Sequence, residues 1–508
     1  MSSAGGVSDV VGDGEAGQWD VYWTTRGVEI PRGRFALLDA WADIDARERT
    51  LSIEPGTPIL INPRGRVDPL LSRFMRRSRF SRLAHDTRVS YVKDYRLFFS
   101  YLWTRGKNWD EADAEDIDDY EAWRRRSKDN PRRISGAKWD RELAAFLLLY
   151  KWAVANGHMA TSPVTMHTTR TRDGSIVEVP ANRAKDVRVA NVKWYTPRTL
   201  RLWRDVGLRG YSPDGLPEQG WRGRNDGRNS AFADLLIESG LRLREGGCLL
   251  TLEVPDAVLG HSYYEGTVAA AIAKRRERMF YVHADALKAV EAYTVSTRRA
   301  AIRRAQLRGA YDRLRGKLVV TKISGGRRRL LSWEDSLGNR SEAPVNAIDA
   351  GDRARLFIVG ENGLEPLQLW LTEGGLPMAY ESWEKVFDAA NERCARYGLA
   401  IQVTPHICRH SFALKMLITL KRGLDLRYGL DPDERTHLRK VYGEVFPLVK
   451  DLLGHKSETT TRMIYLEPLN GIRLAMILDG TEDLSQVFTK VAASSRLVID
   501  VEPDGWEG

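Results

Sequence analysis

From about Leu70 onward, hydrophobic residues recur at helical spacing. In "AHDTRVSYVKDYRLFFSYLWTRG", Val92, Tyr95, Phe99 and Leu102 share one face, with Asp86 or Thr87 as the expected N-cap and Gly106 as the stop. The period continues through "DIDDYEAWRRRSK" and "WDRELAAFLLLYKWAVANGH" until Ser162 and Pro163 interrupt it. Residues 68–165 are therefore predicted to form a small all-helical domain with arginine-rich polar faces. Upstream, residues 1–67 mix a Gly-rich start with "WDVYWTTRGVEIPRGR" and show no long period, which predicts an irregular N-terminal arm or cap. Residues 166–194 are polar and charged without sustained periodicity, the composition of an interdomain linker.

A second domain is expected over residues 195–475. "NSAFADLLIESGLRLREGGCLL" reads as a buried helix, a break at Gly240, and a second helix whose first turn holds Arg242, Arg244 and Glu245. "GTVAAAIAKRRERMFYVHA" predicts a β-hairpin with Lys274, Arg275 and Arg276 in its turn, and "KLVVTKISGGRRRLLSW" predicts another. Between them lies the basic helix "TRRAAIRRAQLRGAYDRLRG". Helical pattern resumes in "SWEKVFDAANERCARYG", "TPHICRHSFALKM" and "VFPLVKDLLGHKSETTTRMIYLEPL", and residues 476–508 form an amphipathic, then acidic, C-terminal tail. The fold class is thus multidomain: an all-α domain followed by a mostly α (α+β) domain with a small sheet.

Composition narrows the function classes. The 508 residues, 43% of them hydrophobic, suffice for two or three domains with real cores. Lys plus Arg outnumber Asp plus Glu by 78 to 68, a net charge of +10, which favours a polyanionic partner such as nucleic acid. Three scattered cysteines, Cys248, Cys394 and Cys408, supply neither a disulfide framework nor a four-cysteine zinc site, as expected in a reducing cytoplasm. The N-terminus lacks the basic flank and apolar run of a signal peptide, and no run of about eighteen apolar residues predicts a membrane span.

Candidate chemistry follows in chain order: Arg242 after a Gly-Leu step, Lys274 in a hairpin turn, His406 and Arg409 as His-x-x-Arg, His455 after a glycine, and Tyr465 ten residues later. The segments "ESGLRLRE", "TPHICRHSFA" and "LLGHKSETTTRMIYL" resemble the three signature boxes of the tyrosine recombinase, or phage integrase, family. Thr87, Tyr91, Tyr95 and Phe98 resemble the opening-helix pattern of that family's core-binding, SAM-like domain. The resemblance implies a site-specific DNA recombinase that clamps double-stranded DNA between its two domains and acts as a tetramer through a Holliday junction. A C-terminal tail docking on a neighbouring protomer is implied as well, along with accessory directionality factors and a nucleoid-associated location. An inserted segment at about 297–345 and a long gap between Arg409 and His455 depart from the family pattern.

Phosphodiester transesterification explains why such residues would meet. It needs a nucleophile, charge relief on the non-bridging oxygens, and a proton for the departing oxygen. Tyr465 is the expected nucleophile; a phenol titrates near 10 and requires an acceptor or a cationic surrounding to attack. Arg242 and Arg409, always charged and able to grip phosphate oxygens in pairs, are expected to do the work a metal ion does elsewhere, so neither metal nor other cofactor is called for. The resemblance makes His406 the proton acceptor, and His455 is expected to donate a hydrogen bond to the phosphate. Lys274, among Arg275, Arg276 and Arg278, is the preferred acid for the leaving 5′ oxygen, with Lys322 in "TKISGGRRR" as the alternative. Glu245 and His410 are expected to support the site from behind.

Other readings stand beside this one. His406 and His410 have the i, i+4 spacing of a zinc-binding helix, but Ile407 occupies the place of the required glutamate. The run Arg124 to Arg126 reads either as a solvated helix face or as phosphate contacts. Neither Gly-Lys pair, at 106 and 316, is followed by the Ser or Thr of an ATP-binding loop. A tyrosine topoisomerase making the same 3′ link, a catalytically idle DNA-binding protein of the same fold, and a metal-dependent transposase are the rival functions.

Overall fold

The computed structural model describes residues 17–24, 47, 50–51, 53–170, 174–184, 193–255, 260–273, 277–326, 328–336, 338–426, 449, 489, 492 and 498–501. The chain divides into two compact units, Met1–Ala190 and Asn191–Gly508. Among the described residues, no helix is long and apolar enough to cross a membrane.

In the first unit, strands β1 (Asp20–Trp23) and β2 (Pro58–Ile61) pair antiparallel. Four helices follow: α1 (Pro69–Arg77), α2 (His85–Thr104), α3 (Ala114–Arg125) and α4 (Gly136–Ala155). Val92, Tyr95, Phe99 and Leu102 of α2 all lie in one aromatic-rich core with Phe98, Tyr120, Trp139 and Phe146. Helix α2 starts one turn-step before the expected cap: Ala84 precedes His85 without any side-chain cap bond, and Asp86 lies inside the first turn, where its charge favours the positive helix end. The region expected as an irregular arm contributes to this core. Trp19 and Leu60 are both buried there, and the Trp19 amide donates to Ser100 Oγ at 2.9 Å.

The segment expected as a linker holds a hairpin, β3 (Met166–Arg170) with β4 (Ile176–Pro180). β3 is exposed from His167 to Arg170, and β4 alternates exposed with half-buried positions only from Ile176 to Val179, too short a run to mark a strand in the sequence. Residues beyond it dock on α4: the Ala184 amide donates to Asp140 Oδ1 at 2.9 Å, and Trp139 Nε1 donates to the Asn182 carbonyl at 2.7 Å.

The second unit opens with β5 (Trp194–Tyr195) and helices α5 (Pro197–Arg209), α6 (Asp226–Ser239) and the short α7 (Leu243–Gly247). Hairpin β6 (Tyr263–Val268) and β7 (Arg278–His283) leads into α8 (Ala284–Tyr293) and the basic α9 (Arg299–Leu307). A five-stranded sheet then forms from β8 (Leu318–Ser324), β9 (Leu330–Asp335), β10 (Arg340–Pro344), β11 (Leu356–Gly360) and β12 (Gly363–Pro366). Its order is β10-β9-β8-β11-β12, with only the β8–β11 pair parallel. Adjacent residues of β11 serve opposite faces: Leu356 joins Leu250, Leu318 and Leu331, whereas Phe357 packs with Ile302 and Ala305 of α9. The sheet thus runs past the inserted segment expected at 297–345, because β11 and β12 complete it.

Helices α10 (Ser382–Arg396) and α11 (Pro405–Leu426) close the described core. Near the end of the chain, β13 (Val498–Ile499) pairs parallel with β5, and Asp500 Oδ1 accepts from Thr196 Oγ1 at 2.6 Å. These described residues of the tail therefore dock on the chain's own second unit.

Candidate active site

Helix α7 places Arg242 at its N-cap and Glu245 three residues on. The Glu245 side chain is 1% exposed, and a buried carboxylate needs partners for its charge. It has them. Arg242 Nη1 donates to Oε1 at 2.6 Å, the Arg242 amide donates to Oε2 at 2.8 Å, and Arg278 Nη2 from β7 donates to Oε2 at 2.5 Å. Burial pushes the Glu245 carboxyl up, but the guanidinium groups of Arg278, Arg242 and Arg409 outweigh it and hold the group below the usual range, so it stays ionised. Behind α7, the fully buried Arg353 donates to the Cys248 carbonyl at 3.2 Å and to Glu253 Oε2 at 2.5 Å, fixing the far end of the short helix.

Helix α11 brings the second arginine. Pro405 stands in its first turn, and Thr404 Oγ1 accepts from the Ile407 amide at 3.2 Å. His406 is exposed, whereas Cys408, Arg409 and His410 are buried. Arg409 Nη1 donates to the carbonyl of Gly240, the left-handed residue (φ +62°) that ends α6. A side chain at Gly240 would collide with the Phe412 ring, since an added Cβ would lie 2.3 Å from Phe412 Cδ1. Glycine is needed there on both counts, and the close approach seats α11 against the α6–α7 break. Lys415 reinforces it, donating to Glu238 Oε2 at 2.6 Å. The rings of His406 and His410 meet edge to face, with centroids 4.3 Å apart.

Arg242, Glu245, Arg409, His406 and His410 are all among the described residues, and the first three share one electrostatic cluster. Lys274, His455 and Tyr465 lie outside the described residues. Lys322 sits exposed in β8, opposite Ser332 and beside a register shift, and its side chain forms no bond among the described residues. Arg278 is the member that sequence reasoning treated only as a neighbouring charge. Its signal is the period of β7: Phe280 and Val282 are buried, and Arg278 falls on the same inward face. An inward-facing arginine demands an anionic partner.

The Arg124–Arg126 run divides. Arg124 lies inside the first unit, donating to Glu142 Oε1 at 2.7 Å and to the Arg132 carbonyl at 3.3 Å. Arg126 stays at the surface, 62% exposed and paired with Glu121. Helical spacing explains the split, since Ile117, Tyr120 and Arg124 occupy i, i+3 and i+7 on the inward face.

Residues 78–157 match the family model of the phage integrase N-terminal SAM-like domain. Among solved structures, the chain is similar to the XerH site-specific recombinase bound to difH substrate in a pre-cleavage complex, at 13% identity over 76% of this chain and 77% of that one, with a TM-score of 0.38. It is similar to the Tn1549 transposon integrase in complex with circular intermediate DNA, at 11% identity over 84% and 98%, TM-score 0.39. A lambda integrase dimer bound to a COC′ core site gives 13% identity over 84% and 94%, TM-score 0.34. Among curated proteins, none matches. Residues 78–157 are thus a phage integrase N-terminal SAM-like domain.

Proposed function

We propose that the chain is a site-specific DNA recombinase that cuts and rejoins duplex DNA through a 3′-phosphotyrosyl intermediate. The observation that carries this reading is the clustering of Arg242, Arg278 and Arg409 on a single buried carboxylate, Glu245. Three permanent cations against one anion leave a local excess of positive charge, the environment that stabilises a pentavalent phosphorane. The phage integrase SAM-like domain at residues 78–157 and the chain's net charge of +10 support duplex DNA as substrate.

In this mechanism the Tyr465 oxygen attacks the scissile phosphorus while His406 accepts the phenolic proton. The bond from phosphorus to the 5′ oxygen breaks, and Lys274 supplies the proton that the departing oxygen takes up. Arg242 and Arg409 hold the non-bridging oxygens, and His455 donates a further hydrogen bond to them. The released 5′ hydroxyl then attacks a phosphotyrosyl bond on a partner strand, so the ester conserves the bond energy and no nucleotide cofactor is consumed. Exchange between two sites requires four active sites, which a tetramer on a Holliday junction supplies.

The test is covalent trapping. Tyr465→Phe is expected to bind DNA as the parent does and to form no SDS-resistant protein–DNA adduct. An adduct formed by the Phe variant would remove Tyr465 as nucleophile. Supercoil relaxation without joining between two sites would point instead to a topoisomerase.

A further inference from the structure

Resting on the strand-transfer reading above, we infer that Arg278 is a positioning residue that keeps the Arg242 charge available to the scissile phosphate by holding Glu245. Glu245 presents one carboxylate, and Arg242 alone would neutralise it: its Nη1 lies 2.6 Å from Oε1 and its amide 2.8 Å from Oε2. A guanidinium tied to a buried carboxylate loses part of its field at a nearby phosphate. Arg278 changes that balance. Its Nη2 takes Oε2 at 2.5 Å, its side chain is 8% exposed, and among the surrounding cations it contributes most to keeping the carboxyl ionised.

Geometry gives the arrangement its rigidity. Arg278 is the first residue of β7 and stands opposite Val268 of β6, so its backbone is set by the hairpin ladder. Glu245 belongs to the first turn of α7, whose N-cap is Arg242 itself. The carboxylate therefore joins two elements 33 residues apart and orients the Arg242 fork by one oxygen while Arg278 occupies the other. Removing Arg278 would leave both oxygens to Arg242, drawing its fork inward and cancelling its charge.

The experiment compares cleavage on two substrates, an ordinary site and one whose scissile phosphate is a methylphosphonate, in which a methyl group replaces a charged non-bridging oxygen. On the ordinary site Arg278→Ala is expected to slow adduct formation about 10- to 100-fold relative to the parent. On the methylphosphonate site, where there is less negative charge to neutralise, the same ratio is expected to shrink to within about threefold. Adding Glu245→Gln to Arg278→Ala should recover roughly tenfold on the ordinary site, because a neutral amide no longer cancels Arg242. Should the alanine variant fail to fold, Arg278→Lys keeps a cation at the position and is expected to show a smaller loss with the same dependence on substrate.

Equal losses on both substrates would overturn the inference, since a merely structural role lowers the two rates alike. A variant as fast as the parent on the ordinary site would overturn it too. If the parent protein forms no adduct on either site, the strand-transfer reading fails and this inference falls with it, an outcome distinct from the other two.

Discussion

Each unit of this protein buries an ionic cluster, and the two shift a carboxyl group in opposite directions. In the helical unit, Asp94 and Glu142 share Arg124, Lys138 and Arg141: Lys138 lies 2.6 Å from Asp94 and 3.0 Å from Glu142, and Arg141 lies 3.2 Å from Asp94. Two carboxylates side by side in an apolar core repel, and burial together with the Glu142 charge pushes the Asp94 carboxyl up to about 7 despite its cationic neighbours. In the second unit a single carboxylate faces three guanidinium groups and is held below its ordinary range. The first cluster sets three cations against two carboxylates and joins α2, α3 and α4; the second sets three against one. The number of carboxylates separates the two cases, and under the proposed function only the second cluster serves chemistry.

The largest effect expected from breaking this comparison is on stability. Glu142→Ala leaves Arg124 buried without its principal anion and should cost the helical unit about 3–5 kcal/mol, read from the denaturant midpoint of the full chain. Arg242→Ala or Arg409→Ala should lower the cleavage rate roughly 10²- to 10³-fold while leaving the helical unit's unfolding transition in place. A loss of the second unit's own stability comparable to that of Glu142→Ala in the first would mean the second cluster is structural as well.

The two clusters should also respond to pH with opposite sign. Asp94 has an ordinary value of 3.8 and a folded value of about 7, so between those limits the folded unit holds a proton that the unfolded chain has released. Stability of the helical unit is therefore expected to be greatest near pH 4 and to fall by roughly 2–4 kcal/mol as pH rises through 7. Asp94→Asn should flatten that slope in thermal melts taken from pH 4 to 8. Glu245, being depressed, contributes stability above its ordinary range and loses it only as pH falls through the folded value. At the small end, Arg126→Ala removes an exposed partner of Glu121 and should change stability by less than about 1 kcal/mol.

Much of the helical architecture was legible because one-sided apolar spacing is a local property. Val92, Tyr95, Phe99 and Leu102 face the core as their period requires, and Gly240 ends α6 in the left-handed conformation expected of a stop. The contribution of Trp19 and Leu60 to the helical core was not legible, since four-residue strands far apart in the sequence carry too little pattern to reveal their pairing. The hairpin over residues 166–180 was hidden for a related reason: β3 is almost wholly exposed, and the alternation of β4 is too short to stand out. In β8 to β12 the sequence predicted one hairpin, but the parallel β8–β11 pairing needed strands brought together from distant segments.

For the candidate site, the sequence by itself determined which charged residues sit at helix and strand positions able to converge, because residue type and period are written locally. Arg242 and Glu245 one turn apart, and His406 with Arg409 on another turn, belong to that category. Only the tertiary structure decided which charges turn inward and whom they meet. Arg278 reaches Glu245 across 33 residues, Arg409 reaches the Gly240 carbonyl across 169, and Arg124 reaches Glu142 rather than solvent. An ion pair depends on distance in space and on exclusion of water, and neither quantity exists until the chain has folded.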